Sequence, residues 1–420
     1  MLFKKIGKAI VCNLLEGQVR TLRQRNTFVI VAVAGSVGKT STKLAIAKLL
    51  GNKLRVRYQD GNYNDRVTVP LVFFGEQEPS LMNVWAWLRL LARNQRQLTK
   101  PYPYDVVVIE LGTDGPGQMK KFAYLQPEIG VLTAVSPEHM EYFKNLDAVA
   151  DEELALADYS QQLLCNVDDI DLKYLEGRTY SSYAADQPAD YQAKNIALWQ
   201  LTGSAELMLG KTGSAEMQLP MIGVQGAKIC LAAAAVGSLL GFSLGDIQTA
   251  MAAITPVPGR MQILPGIRDS SIIDDTYNAS PLAVKAALDV LYNTDAPQRI
   301  ALLGNMNELG KTSASAHTEV GAYCDPAKLE WVLTLGPDAN EFLAPAAEKA
   351  GCKVASFTSP YEAGKFIKKH LKTEAVVLAK GSQNGVFAEE AVKEILAEPA
   401  DQAKLVRQSP YWLKRKSASF

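Results

Sequence analysis

Apolar residues in this chain fall into two kinds of segment that alternate along its length. One kind is a short run rich in Val, Ile and Leu, as in 29–34, 105–110, 129–135, 163–167, 271–274, 299–303, 331–335 and 375–379. Runs of this length without polar alternation predict strands covered on both faces, as in a parallel sheet. The other kind carries apolar residues at helical spacing, as in 43–50, 84–100 and 226–240. Residues 205–209 and 215–219 alternate instead and predict a small antiparallel hairpin. Strands interleaved with helices predict an α/β fold. Thr255-Pro-Val-Pro-Gly-Arg260 interrupts the pattern, which then restarts. The chain therefore reads as an N-terminal helix over 1–26, a central domain over 27–256 with a mostly parallel sheet, and a Rossmann-like α/β domain over 259–420.

The first strand is the most informative. It breaks at Gly35-Ser36-Val37-Gly38, passes Lys39-Thr40-Ser41, and continues as a helix from Lys43. Strand, glycine turn and helix start together form an anion site. The glycines let backbone N–H groups approach phosphate, and the helix end adds partial positive charge. Lys39 is placed to reach the β- and γ-phosphates of a nucleotide, and the Thr40 hydroxyl to ligate Mg2+. The generic phosphate loop opens with a glycine where this chain has Val33. Other polar residues follow other strand ends, where open α/β sheets place ligands. Glu110 closes the second strand, where Mg2+ would sit. His139 follows the third, either as a functional group or as a buried structural histidine. A polar loop over 60–66 lies beside the phosphate site, where loops often carry function. In the C-terminal half, 274–281 and 380–382 follow strands in the same way.

Composition narrows the class. The 420 residues are 48% hydrophobic, enough for a large soluble core. The 44 basic residues balance 44 acidic ones, so no bulk attraction to nucleic acid is implied. Cys12, Cys165, Cys230, Cys324 and Cys352 stand singly, which points away from a zinc site or a disulfide framework and fits a reducing cytoplasm. No apolar run reaches the roughly 18–20 residues that span a bilayer. Segment 1–25 departs from the overall neutrality. Lys4, Lys5, Lys8, Arg20, Arg23 and Arg25 stand against a lone Glu16, and Phe3, Ile6, Ile10, Leu14 and Leu15 fall at helical spacing. This segment is predicted either to pack on the domain or to make peripheral contact with an anionic membrane surface.

Taken in order, these stretches resemble the Mur ligases. Gly35-Ser-Val-Gly-Lys-Thr-Ser-Thr-Lys43 is similar to that family's phosphate loop, which also lacks the early glycine. Gly61-Asn62-Tyr63-Asn64 with Val69-Pro70-Leu71, Glu110-Leu111-Gly112 and His139-Met140-Glu141-Tyr142-Phe143 follow in family order. So do Gly259-Arg260, Ile273 through Pro281, Leu303 through Gly310 with His317, and Lys380-Gly381-Ser382. The resemblance implies a cytoplasmic, ATP- and Mg2+-dependent amide ligase acting on small-molecule or peptide-precursor substrates, with no nucleic-acid partner. Its expected reaction is the addition of D-alanyl-D-alanine to a muramoyl-peptide precursor in peptidoglycan synthesis. A ligase of the same fold acting on another acid, and a catalytically silent nucleotide-binding relative, stay open beside it.

By the same resemblance, Gly35, Ser36, Val37, Gly38, Lys39, Thr40, Ser41, Asp275 and Asn278 would bind the nucleotide. Thr40, Glu110, His139 and Glu153 would hold metal. Lys39, His139, Glu153 and Arg260 would serve catalysis, and Asn62, Asn64, Lys380 and Ser382 the substrate. Four departures stand out. The family's UDP-sugar domain precedes the phosphate loop, where this chain has residues 1–26. Glu153 occupies the position of a lysine that the family carbamylates to reach Mg2+. It either supplies that anionic group or lies with Glu152 on a solvated helix face. Gly223-Val224-Gln225 replaces the family's G-x-H, and Gly304-Asn305-Met306 its G-D-M.

Overall fold

The computed structural model describes residues 2–61, 63–80, 82–137, 142–199 and 201–419, with the backbone alone for 2–6 and 199. The chain divides into two compact units. One comprises 1–194, 206–217 and 228–255, and the other 195–205, 218–227 and 256–420.

The first unit is organised by strands β1 (Val29–Ala34), β2 (Val56–Arg57), β3 (Val106–Glu110), β4 (Ile129–Leu132), β5 (Gln162–Asn166) and β6 (Ser181–Ala184). Strands β7 (Tyr191–Trp199), β8 (Thr202–Leu209) and β9 (Ser214–Leu219) continue the same sheet, whose order is β2-β3-β1-β4-β5-β6-β7-β8-β9. The pairings from β2 to β7 are all parallel. The expected β8–β9 hairpin is present, and β6 and β7 extend the sheet beyond the sequence reading. β6 opens on two serines and β7 is interrupted by Gln192, Lys194 and Asn195, so no unbroken apolar run announces them.

Helices α1 (Leu2–Arg25), α2 (Lys39–Leu50), α3 (Thr68–Phe74), α4 (Val84–Gln97), α5 (Leu146–Leu154), α6 (Gly223–Leu239) and α7 (Leu244–Met251) accompany these strands. Ile30 and Ala32 of β1, Val107 and Ile109 of β3, and Val72 and Phe73 of α3 share one core with Val19 and Leu22 of α1. Helix α1 therefore packs on the domain. Its buried stripe is Cys12, Leu15, Val19 and Leu22, while Ile10 and Leu14 remain half exposed. The inward face is thus rotated from the one expected from the sequence. Helix α4 likewise buries Trp87 and Leu90 but exposes Trp85 and Leu88.

The second unit contains β10 (Gln262–Pro265), β11 (Ser271–Asp275), β12 (Arg299–Gly304), β13 (Trp331–Leu335), β14 (Val354–Phe357) and β15 (Val376–Lys380). Their order is β10-β11-β15-β12-β13-β14, with only β10 antiparallel. The last strand returns to the middle. That crossover puts Asp275 in register with Lys380, although 105 residues separate them. Helices α8 (Pro281–Asn293), α9 (Ser313–Tyr323), α10 (Ala344–Lys349), α11 (Pro360–His370), α12 (Glu389–Lys393) and α13 (Pro410–Ser417) complete the unit. Two apolar cores, one containing Leu288, Ala301 and Val320 and the other Leu302, Ile367 and Val392, bury the β12 strand from both sides. The fold is α/β, with mostly parallel sheets as expected.

Candidate active site

The turn after β1 is shaped by close contacts that its glycines permit. Gly35 has φ +126°, and a Cβ there would lie 2.4 Å from Thr133 Oγ1 and 2.8 Å from Ala134 N. Gly38 caps α2 at φ 86°, in the left-handed region. Three contacts tie the loop to the end of β4. Ser36 N donates to Ala134 O at 2.9 Å, Ser136 N donates to Ser36 Oγ at 3.0 Å, and Thr133 Oγ1 donates to Val37 O at 2.6 Å. The Lys39 ammonium donates to Gly35 O. Thr40 and Ser41 lie buried in the first turn of α2, next to backbone N–H groups that have no acceptor within the helix.

Glu153 reaches this turn from α5. Its Oε2 accepts from Gly35 N at 2.8 Å, and the residue is fully buried. Glu152 is buried as well, accepting from Gly117 N and Met119 N at 2.5 Å and from Thr113 Oγ1 at 3.2 Å. The alternative of a solvated face for this pair is therefore overturned. Both carboxylates turn inward because neighbouring loops offer them backbone donors. Glu110 ends β3, directly across the ladder from Val33. Its Oε2 lies 3.3 Å from Lys43 Nζ, each side chain 2% exposed, and its Oε1 accepts from Asn64 Nδ2 at 3.3 Å. Lys43 also donates to Gly61 O at 2.9 Å. It thereby links α2, the 60–66 loop and the end of β3. His139 and Asn62 lie outside the described residues.

In the second unit the Lys380 ammonium, 2% exposed, pairs with Asp275 and donates to Asn278 O at 3.0 Å. Asp275 also accepts from Met261 N at 3.1 Å. Asn278 itself is exposed. Arg260 lies over the Tyr277 ring, 4.2 Å from its centroid. Ser382 Oγ donates to Ala279 O at 3.2 Å and accepts from Asn307 N at 2.9 Å, stitching two strand-end loops together. Arg407 donates to Thr276 O at 2.6 Å and Tyr277 O at 3.1 Å, and grips Glu389 through two nitrogens. Burial pushes the Asp274 carboxyl up to about 7, against hydrogen bonds from Thr276. His317 accepts from Met306 N through Nε2 at 3.0 Å, and its Nδ1 faces Ser313 O at 2.8 Å. The ring is thus the neutral Nδ1–H tautomer, and burial lowers its pKa. Asn305, in the position of the family's aspartate, accepts from Ala339 N at 2.9 Å.

The phosphate-loop residues Gly35 through Ser41 are thus gathered with Glu110, Asn64 and Glu153 in the first unit. Arg260, Asp275, Asn278, Lys380 and Ser382 are gathered in the second. Sequence reading gave no role to Lys43, Thr133 or Arg407. Thr133 carried one signal, a hydroxyl inside an otherwise apolar strand run. Arg407 carried none, since it acts on a loop 130 residues away.

The Mg2+ expected here suits the donors present. The Glu110 carboxylate and Thr40 hydroxyl are hard oxygen ligands, and Glu110 Oε2, ion-paired with Lys43 at 3.3 Å, accepts no hydrogen bond among the described residues. Mg2+ keeps several waters and takes only one or two carboxylates beside phosphate oxygens, so a dense acidic cage is not required.

A phosphate loop on a parallel sheet, followed by a second α/β unit, defines a nucleotide-binding type of α/β protein. Residues 33–237 match the Mur ligase middle domain, and residues 259–383 the Mur ligase, glutamate ligase domain. The chain belongs to the Mur ligase family, enzymes that form amide bonds with ATP. It is 25% identical over 377 residues to the UDP-N-acetylmuramoyl-tripeptide--D-alanyl-D-alanine ligase of Bacillus subtilis, covering 88% of this chain and 76% of that protein. It is 29% identical to the ligase of the same name from Haemophilus influenzae, covering 84% and 74%. Among solved structures it resembles the MurF ligase of Thermotoga maritima in complex with ADP. There the TM-score is 0.75 and the identity 23%, over 91% of this chain and 83% of that one.

Proposed function

We propose that this chain joins D-alanyl-D-alanine to the peptide carboxylate of a muramoyl-tripeptide precursor, in the cytoplasm, at the expense of ATP. The observation that carries the reading is Lys39 and Thr40 at the head of α2, with Glu110 across the ladder at the end of β3. The curated relatives named for this reaction support it. In the first step a carboxylate oxygen of the acid attacks the γ-phosphorus. The bond to the β,γ-bridging oxygen breaks, ADP leaves, and an acyl phosphate forms. In the second, the amine nitrogen attacks the acyl carbon, gives up a proton, and inorganic phosphate departs.

The residues divide the work. The loop N–H groups and Lys39 hold and neutralise the phosphates as charge moves onto the leaving oxygen. Thr40 and Glu110 would hold Mg2+, which supplies further charge neutralisation when bound. Glu153 and His139 would complete the metal side, with Glu153 supplying the anionic group in place of a carbamylated lysine. Arg260, Asp275 and Asn278 serve the nucleotide from the C-terminal domain, and Asn62, Asn64, Lys380 and Ser382 the substrate. The basic residues 1–25 make peripheral contact with the membrane surface.

A second reading, the same chemistry on a different acid, is favoured by the departures at Glu153, Gln225 and Asn305. A panel of acids and amines, scored for ADP release and product mass, separates the two. ADP release that requires UDP-N-acetylmuramoyl-tripeptide and D-alanyl-D-alanine supports the first. Turnover only with another acid replaces it with the second, and no turnover with any pair refutes both.

A further inference from the structure

Helix α1 lies along α4 in a defined register. Gln18 Nε2 donates to Leu91 O at 2.9 Å and Arg25 Nη1 to Leu98 O at 3.1 Å, each bond spanning 73 residues. Two bonds with the same offset mean parallel helices, and the offset sets Val11 and Leu14 beside Val84 and Trp87. At that end of the pair, large apolar side chains face water. Ile10 is 54% exposed, Leu14 50%, Val84 64%, Trp85 73% and Leu88 52%, with Met82 at 72% just before α4. Single exposed apolar residues are ordinary, but such a group at one end of one helix pair marks an interaction surface.

The charge carried by the two helical segments is one-sided, while Asp65, Glu76 and Glu78 lie beside Lys8 and Arg93. Residues 1–15 carry Lys4, Lys5 and Lys8 with no acidic residue, and residues 79–104 carry Arg89, Arg93, Arg96 and Lys100 with none. This occurs in a chain whose 44 basic and 44 acidic residues cancel. Lys8 and Arg93 pair with Asp65 and Glu76, and both Arg89 and Arg96 are exposed. On α4, Arg89 and Arg96 flank the same outward face as Trp85.

We propose that the exposed α1–α4 face docks on an anionic lipid bilayer. Ile10, Leu14, Val84, Trp85 and Leu88 enter the headgroup boundary, and Arg89 and Arg96 meet the headgroup phosphates. An apolar strip with a tryptophan and a basic rim is the composition of an interfacial helix. Anionic headgroups supply counter-charge to the exposed Arg89 and Arg96. A second copy of the chain fits worse, because face-to-face pairing brings one basic rim onto another. Among the described residues no helix is long and apolar enough to cross a membrane, so the contact lies in the surface plane. This deepens the peripheral-contact part of the proposed function and adds α4 to it, and its physics is independent of the ligase chemistry.

The test is sedimentation of the full chain with vesicles of phosphatidylcholine, alone or mixed with phosphatidylglycerol. ATP turnover and circular dichroism are measured on the same samples. Preferential binding to the anionic vesicles, weakened by salt, is expected. The double variant Trp85→Ser, Leu88→Ser should bind about tenfold more weakly, with unchanged dichroism and turnover. Equal binding to both vesicle types overturns the proposal. So does a double variant that binds like the parent, or a self-association that the double variant abolishes. A chain that binds vesicles but turns over no ATP refutes the ligase reading and leaves this one standing.

Discussion

Lys39 stands between two glycines' worth of backbone constraint and the first turn of α2, where a cation has phosphate as its natural partner. Lys39→Ala should leave the fold intact and cut ATP turnover by a factor of about a hundred or more, since each 1.4 kcal/mol lost from the transition state is about tenfold in rate. Near-normal turnover would refute the phosphate-loop role. Glu153 offers a subtler case. Gln at this position keeps an oxygen for Gly35 N but loses the charge, so Glu153→Gln should stay folded yet raise the Mg2+ requirement or lower turnover. Turnover of the parent should not respond to bicarbonate, because no carbamate is formed. The proper control is Asp151→Asn, an exposed carboxylate on the same helix. Glu152 cannot serve as one, because it holds the Gly117–Met119 loop by backbone donors. Equal effects from Glu153→Gln and Asp151→Asn would show that Glu153 has no such role.

Asp274 gives a pH signature at the same scale. Its carboxyl is raised from 3.8 to about 7 by burial, so the folded chain holds a proton there that the unfolded chain releases. Between these values the folded state binds more protons, and stability from this group falls as pH rises from about 4 to 7. Asp274→Asn should flatten the decline in unfolding midpoint over that range. A decline as steep as the parent's would show that Asp274 is not its source.

The elements show how distant segments brace the strand-end loops. The 407 region and helices α12 and α13 meet around Glu389, which is fully buried and takes Arg407 and Lys416 together. Lys416 also reaches Glu390. Arg407 extends this network to the carbonyls of Thr276 and Tyr277, and Tyr277 in turn carries Arg260. Arg407→Ala leaves Glu389 with Lys416, so the cost should sit near the low end for a broken buried pair, about 3 kcal/mol. Denaturant unfolding measures it. A loss under about 1 kcal/mol would show that the network is not holding the loop.

For the whole molecule, nucleotide binding and stability are linked. A nonhydrolysable ATP analogue with Mg2+ at about 100 times its Kd should stabilise the first unit by about 2.7 kcal/mol. A thermal shift reads this directly, and Lys39→Ala should abolish most of it. An identical shift in parent and variant would place the nucleotide elsewhere.

The alternation of apolar runs and helical periods, the glycine turn before Lys39, and the order of motifs were legible in the chain. Each depends on residues close in sequence: β-branched runs favour strands, and glycines permit φ values that other residues resist. Strands β10 and β14 were not legible, since both lie at sheet edges and carry partly exposed residues in place of an unbroken apolar run. Tertiary structure alone decided which polar groups are buried. Glu152 and Glu153 read equally well as a wet helix face, and they turn inward because donors 33 to 118 residues away are waiting for them. The same holds for the pairing of Asp275 with Lys380, which exists only because the last strand returns to the centre of its sheet. It holds too for the exposed face of α1, whose apolar residues outnumber the positions its neighbours cover. Local backbone preference acts over a few residues, whereas burial is settled by whichever surfaces the finished topology brings together.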